Sequence, residues 1–417
     1  MTIRHLPQEF TTYTAELFGP ERWAQFLHSF EESSVTSIRF NPWKYAQESI
    51  FPQIEAVPWC EQGYWLTERP NFTLDPLFHA GVYYVQEAGS LFLDHVLREH
   101  INSPVLVLDL CAAPGGKSTL MRAALPEGSM LVSNEPDRRR ANILLENMLK
   151  QGHPDVLVTH NYASDFAKTK WTFDVILTDV PCSGEGLFRR DEKTISEWSV
   201  DNVHFCQKRQ RQILQDIWPC LRPGGLLIYS TCTFNTHENE ENVRFIADEL
   251  GAEILPVSVC PQWQITGSLL PGWTQPVYRF IPGVSRSEGL FIAVLRKKGE
   301  TSAAPLLPGS ARHHAHIHRL IHLLSDGIPT PEQKGKEQIP SAAQALSIRL
   351  SADEYPRVEL PLAEAQRYLR RESFALPAGT PRGFVLVTYG GHPLGFMKNL
   401  GDRANNLYPK NWAIRSL

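Results

Sequence analysis

The chain has 417 residues, 42% hydrophobic and 21% charged, with a net charge of −4. That is the make-up of a globular protein of two or three domains, and it excludes wholesale disorder and a global basic field. Seven scattered cysteines without a CxxC pair argue against a zinc centre or a disulfide framework, so reduced thiols and a cytoplasmic setting are expected. The start, MTIRHLPQEF, lacks a signal pattern, and no apolar run approaches the ~20 residues of a membrane span.

Residues 1–75 read as a small α+β unit. Ala15–Phe30 has helical apolar spacing, and Ser37–Asn41 alternates like a strand that Pro42 stops. This unit reads either as a packing extension of the next domain or as an RNA-binding extension. Residues 76–298 form the main domain. A helix is predicted over Val85–Leu97, then a strand at Val105–Asp109, the turn CAAPGGKST (111–119) and a helical stretch to Ala124. A second strand, Met130–Glu135, ends on an acid, and helix Arg138–Gln151 is closed by Gly152. Strands follow at Val156–Thr159, Val175–Leu177 and Leu226–Cys232. A long helix at Val200–Leu221, with Pro223-Gly224-Gly225 as its stop, separates the last two. Glu238–Leu250 is predicted as a helix with five acids on its exposed side. Strict strand–helix alternation predicts a doubly wound parallel α/β sheet of Rossmann-like type, with ligands at the carboxyl ends of its strands.

Residues 299–345 read as a linker rich in Pro. Its histidines (313, 314, 316, 318 and 322) suit a solvent-facing helix better than a metal site, because no acid or cysteine completes a ligand set. Residues 346–417 read as a small β-rich domain with a hairpin at Gly383–Phe396. From Gln366 onward there are eight Arg/Lys against two Asp/Glu. Cations interleaved with Tyr389, Phe396, Tyr408 and Trp412 suit a polyanion with stackable bases, which favours RNA over the alternative of a basic surface with a stacked aromatic core. A monomer is expected, for want of an interface stripe.

The chemistry concentrates at two strand ends. Asp179 and Cys182 follow the fourth strand in TDVPCSGEG, and Cys232 ends the fifth in STCT. The turn Cys111-Ala112-Ala113-Pro114-Gly115-Gly116-Lys117 matches neither a P-loop nor a dinucleotide fingerprint. It is a small-residue turn that lets a ligand approach the backbone, and Glu135 lies at the distance of a ribose diol. A nucleoside without polyphosphate fits, and S-adenosylmethionine is such a ligand. Two thiols and an acid beside a methyl donor suggest attack of a thiolate on carbon 6 of a pyrimidine, then methylation at carbon 5. The target base must leave its stack.

Four stretches, LDLCAAPGGKST, NEPDRRRANILLENMLKQG, DVILTDVPCSGEGLFRRD and YSTCTFNTHENEENV, resemble the signature blocks of the Nol/Nop/Sun family of RNA (cytosine-5)-methyltransferases. SIRFNP and AGVYYVQEAGS look like that family's N-terminal blocks. LGFMKNLGDRANNLYPKNW is similar to the PUA-like RNA-binding end of its small-subunit rRNA members. The resemblance implies S-adenosylmethionine as cofactor and small-subunit rRNA as substrate. It implies Cys232 as nucleophile, Cys182 as the thiol that assists release, and Asp179 as the contact to cytosine, beside Lys117. It further implies that residues 111–117 wrap the methionine part and Glu135 the ribose. The family's acid after the third strand is missing. Asn161, followed by Tyr162, is the candidate for the adenine, its side-chain carbonyl accepting from the amino group. Three rivals stand beside this reading. One is a DNA cytosine-5 methyltransferase, whose Glu-Asn-Val block residues 241–243 spell. The others are a non-catalytic RNA-binding assembly factor and an ATP-using enzyme suggested by Gly-Gly-Lys-Ser.

Overall fold

The computed structural model describes residues 6–45, 50–52, 54–169, 171–300 and 320–415. In the central sheet, β5 (Leu106–Asp109), β6 (Met130–Asn134), β7 (Val156–Thr159), β8 (Phe173–Asp179) and β9 (Leu221–Thr231) are parallel, in the order β9-β8-β5-β6-β7. The chain starts mid-sheet, winds outward to β7, then returns to the other side of β5. The predicted doubly wound sheet is therefore present, and its switch point lies between β5 and β8. Near-continuous apolar strands demand cover on both faces. Val107, Leu131, Val175 and Ile228 pack on one side against α3 (Phe92–His100), α4 (Gly116–Ala124) and α5 (Arg138–Gln151). Leu108, Val132, Ile176 and Leu227 pack on the other against α8 (Val200–Ile217) and α9 (Glu240–Asp248).

Three features of this sheet were not legible in the sequence. β12 (Leu290–Lys297) pairs antiparallel with β9, and β10 (Ala252–Leu255) and β11 (Tyr278–Phe280) pair with β12. The stretch Pro223-Gly224-Gly225 lies within β9 rather than stopping a helix. The predicted linker supplies an edge strand, β13 (Leu323–Asp326), antiparallel to β7. His313, His314, His316 and His318 lie outside the described residues. Among the described residues no helix is long and apolar enough to cross a membrane.

The first sheet has the order β2-β3-β1-β4 and is antiparallel: β1 is Thr36–Phe40, β2 Ile54–Ala56, β3 Gly63–Leu66 and β4 Tyr83–Val85. It extends past residue 75, since β4 pairs with β1. The C-terminal sheet comprises β16 (Arg357–Glu359), β17 (Gly383–Tyr389), β18 (His392–Asn399) and β19 (Ala404–Asn406). The β17–β18 hairpin turns on Gly390 and Gly391, both with positive φ, as a tight hairpin requires. These two sheets share one core: Ile38, Phe40, Leu66 and Tyr83 belong to the same cluster as Tyr368, Val385, Met397 and Trp412. The aromatics assigned above to base stacking are therefore corrected. Phe396, Tyr408 and Trp412 are buried packing residues, and Tyr389 packs at the edge of the same core. The cations remain at the surface, but stackable rings there must come from elsewhere.

Gly81 locks the first sheet onto α5. Its φ is +70°, and a Cβ there would overlap the carbonyl oxygen of Lys150. Gly81→Ala is expected to destabilise the protein by about 2 kcal/mol or more, from strain and overpacking together. Urea titration would measure this, and a midpoint equal to wild type would refute it.

Candidate active site at the carboxyl edge of the sheet

β8 and β9 run side by side with Asp179 opposite Ser230. The loops beyond them therefore start level and bring their thiols together: Cys182 Sγ and Cys232 Sγ stand 3.2 Å apart, both as free cysteines. The hydrogen bond with Cys232, then burial, push the Cys182 thiol well above its ordinary range. Either sulfur can donate the hydrogen of this contact.

Asp179 is held from two sides. Lys117 Nζ donates to Oδ2 at 2.8 Å, and Ser230 Oγ donates to Oδ1 at 2.6 Å. Burial works against the Lys117 charge, but the carboxylate of Asp179 outweighs it, and the ammonium is held above its usual range. Each Asp179 oxygen retains a free lone pair, and the side chain is 29% exposed, so a ligand donor can still reach it.

The cofactor turn leaves β5 at Asp109. Gly115 caps α4 with φ +114°, a value only glycine adopts easily, and this folds Cys111–Gly116 tightly over the sheet edge. Ser118 Oγ donates to Asp109 Oδ2 at 2.6 Å, while Asp109 Oδ1 is buried with no partner among the described residues. Burial, partly offset by Ser118, pushes the Asp109 carboxyl up to about 7. Burial likewise raises the Cys111 thiol, which stays protonated and inert. Glu135 ends β6 almost fully buried; its Oε1 accepts the Asp137 amide at 3.0 Å, and Arg140 lies 3.7 Å from Oε2. An orphaned acceptor, a glycine-lined turn and a carboxylate at the end of the neighbouring strand fit the donors of an amino acid and a ribose.

Asn161 Oδ1 accepts the His322 amide at 2.9 Å and its Nδ2 donates to the His322 carbonyl at 3.2 Å. The side chain fastens the chain just before β13. Tyr162 is 69% exposed, and its amide caps helix α6 (Ala163–Ala167) by donating to Asp165.

Sequence reasoning missed the carboxylates beneath the thiols. Glu238 and Glu240, assigned to an exposed acidic face, are fully buried. Glu240 forms an ion pair with the equally buried Arg279 at 2.8 Å. Burial and the neighbouring Glu185 push the Glu238 carboxyl up to about 7. Asn242 and Val243 are buried within α9, so the Glu-Asn-Val tripeptide packs away from the sheet edge. Helix α1 (Gln8–Ser29) covers both loops, its Phe10, Phe18 and Phe26 packing on Phe188 and Phe234. The sole signal for this cover was the periodicity of α1.

Three family models match the chain. One described as 16S rRNA methyltransferase RsmB/F spans residues 96–296. The N-terminal domain of 16S rRNA methyltransferase RsmF matches 6–88, and the methyltransferase RsmF PUA domain matches 355–414. Ribosomal RNA small subunit methyltransferase F of Aeromonas hydrophila is 28% identical, covering 97% of each chain. The protein of that name from Escherichia coli O7:K1 is 29% identical, covering 97% of this chain and 96% of its own. A methyltransferase homolog protein from Pyrococcus horikoshii superposes with TM-score 0.57 at 26% identity, over 70% of this chain and all of that one. NSun6 from Pyrococcus horikoshii, solved with SFG, has the same fold (TM-score 0.60, 20% identity) over 72% of this chain and all of its own.

Proposed function

The chain belongs to the RsmB/F family of S-adenosylmethionine-dependent rRNA methyltransferases, and from that premise we propose that it methylates carbon 5 of cytosine in small-subunit rRNA through a covalent adduct on Cys232. The observation that carries this reading is the 3.2 Å approach of two free thiols beside the Asp179–Lys117 pair. S-adenosylmethionine supplies a methyl group on a positively charged sulfur.

Carbon 5 of cytosine is a poor nucleophile until carbon 6 is substituted. Cys232, as thiolate, forms a bond to carbon 6, and the displaced π electrons collect at carbon 5. Carbon 5 takes the methyl with that electron pair. It then loses its proton to solvent, the C–H electrons restore the double bond, and the bond to Cys232 breaks. Asp179 accepts from the exocyclic amine of cytosine and favours a proton at N3, which draws electron density away from carbon 6. Lys117 keeps Asp179 aimed. Cys182 donates its proton as a hydrogen bond to the departing Cys232 thiolate. Glu135 accepts from the ribose hydroxyls, and residues 111–117 enclose the methionine end.

The PUA domain and the cationic C-terminal surface support RNA as partner. Bisulfite sequencing of 16S rRNA from cells with and without the gene tests the proposal. A cytosine that loses protection in the deletion strain supports it; an unchanged pattern refutes it. Glu135→Ala is expected to weaken S-adenosylmethionine binding about tenfold or more, the loss of charge-assisted hydrogen bonds. Calorimetry checks this, and an unaltered Kd would remove Glu135 from the ribose site.

A further inference from the structure

Cys182 and Cys232 sit on separate loops, and a 3.2 Å contact between free thiols does not hold itself. Two buried glutamates tie the loops crosswise. Glu185 lies three residues after Cys182 yet serves the other loop: its Oε2 accepts the amides of Phe234 at 2.6 Å and Asn235 at 3.0 Å. Glu238 lies six residues after Cys232 yet reaches back: its Oε2 accepts the Ser183 amide at 3.0 Å and Gln210 Nε2 at 2.7 Å. Asn235 Nδ2 joins the two, donating to Glu185 Oε1 at 3.0 Å and Glu238 Oε1 at 2.9 Å. The Gly186 amide donates to the Cys232 carbonyl at 2.7 Å, and the Ser183 and Thr233 hydroxyls share a hydrogen bond at 3.0 Å. A Cβ on Gly186 would stand 2.7 Å from that carbonyl oxygen, so the loops meet backbone to backbone.

We propose that Glu185 and Glu238 are positioning residues for the thiol pair: Glu238 sets the Cys182 loop and so governs release of the covalent adduct, while Glu185 sets the Cys232 loop and so governs its formation. This rests on the covalent reading above. The donor count requires both carboxylates. Every hydrogen-bond partner named for Glu238 is a donor, and Glu185 Oε1 takes a further one from Trp198 Nε1 at 3.0 Å. A glutamine at either position is nearly isosteric but turns an NH2 towards donors. At Glu238 the facing amide cannot rotate to compensate, because Gln210 Oε1 already accepts from Asn242 Nδ2 at 2.7 Å.

The test uses undermethylated small ribosomal subunits from the deletion strain, and the 16S rRNA extracted from them. Denaturant-resistant protein–RNA adduct is followed in time, and S-adenosylmethionine affinity serves as the measure of folding. Glu238→Gln is expected to lengthen adduct lifetime about tenfold, the loss of a hydrogen bond to a charged group, with adduct formation little changed. Glu185→Gln is expected to slow formation by a similar factor and leave lifetime alone. A merely structural role would lower the amount of adduct in proportion to folded protein and leave its lifetime, and its rate of formation per folded molecule, at the wild-type values, and that result in both variants overturns the proposal. If either variant fails to bind S-adenosylmethionine, Thr233→Val spares both carboxylates while breaking the Ser183 contact. A lengthened lifetime in it supports the clamp, and wild-type kinetics overturn it. Methyl transfer by Cys232→Ala protein would instead sink the covalent reading itself.

Discussion

Cys232→Ala protein is expected to transfer no methyl group, while Cys182→Ala protein is expected to remain covalently bound to RNA. The asymmetry follows from the shared hydrogen bond. In the proposed reaction Cys232 is the nucleophile, and Cys182, 3.2 Å away, is the thiol that hydrogen-bonds to it when it departs. Without the Cys232 sulfur carbon 5 is not activated. Removing a covalent nucleophile costs many orders of magnitude. Removing Cys182 destabilises the thiolate that addition starts from and elimination returns to, and does not touch the adduct. The equilibrium therefore moves towards the adduct, by roughly tenfold or more if the lost bond is worth a charge-assisted hydrogen bond. Gel analysis under denaturing conditions reads both outcomes. Adduct trapped in Cys232→Ala, with none in Cys182→Ala, would reverse the two roles.

Asp179→Asn is expected to lower kcat by about a hundredfold or more, the scale of losing a charged group that acts on the reacting base. The amide keeps the size of the side chain and one acceptor for Ser230 or Lys117, so the fold should survive. It removes the negative charge that favours a proton on N3 of cytosine as carbon 6 is attacked. It also strips Lys117, whose side chain is 17% exposed, of its ion-pair partner. Single-turnover kinetics with saturating RNA and S-adenosylmethionine would isolate the chemical step. A rate within threefold of wild type would remove Asp179 from the cytosine edge.

How much of this was legible before folding differs from residue to residue. The five parallel strands announced themselves because strands buried on both faces carry near-continuous apolar runs, as 106–108 in β5 and 175–177 in β8 do. The antiparallel pairing of β10 and β12 did not, because β12 is as apolar as the parallel strands and the direction in which a strand pairs depends on what lies alongside. Edge strand β13 was read as linker for the same reason: Leu323–Asp326 has neither the length nor the alternation of a strand, and it exists because β7 offers an unpaired edge and Asn161 fastens its entry.

The candidate site divides in the same way. The residues proposed to do chemistry, Asp179, Cys182, Cys232 and Glu135, stood out in the sequence because two thiols, a small-residue turn and two acids all fall at strand ends that this fold brings to one edge. Glu238 and Glu240 misled because an acidic run at helical spacing ordinarily faces water. Only the tertiary structure buries them, under α1 and beside Arg279, where each is satisfied by donors from distant segments. Tyr408 and Trp412 misled in the opposite direction, since an aromatic among cations reads as a surface when its core includes residues more than 300 positions away. The sequence by itself determined the central fold and the reactive groups, both of which are matters of local period and side-chain chemistry. Only the tertiary structure decided how closely the two thiols approach, what Asn161 holds and which acids are buried near them. Those are set by desolvation and by hydrogen-bond partners far apart along the chain.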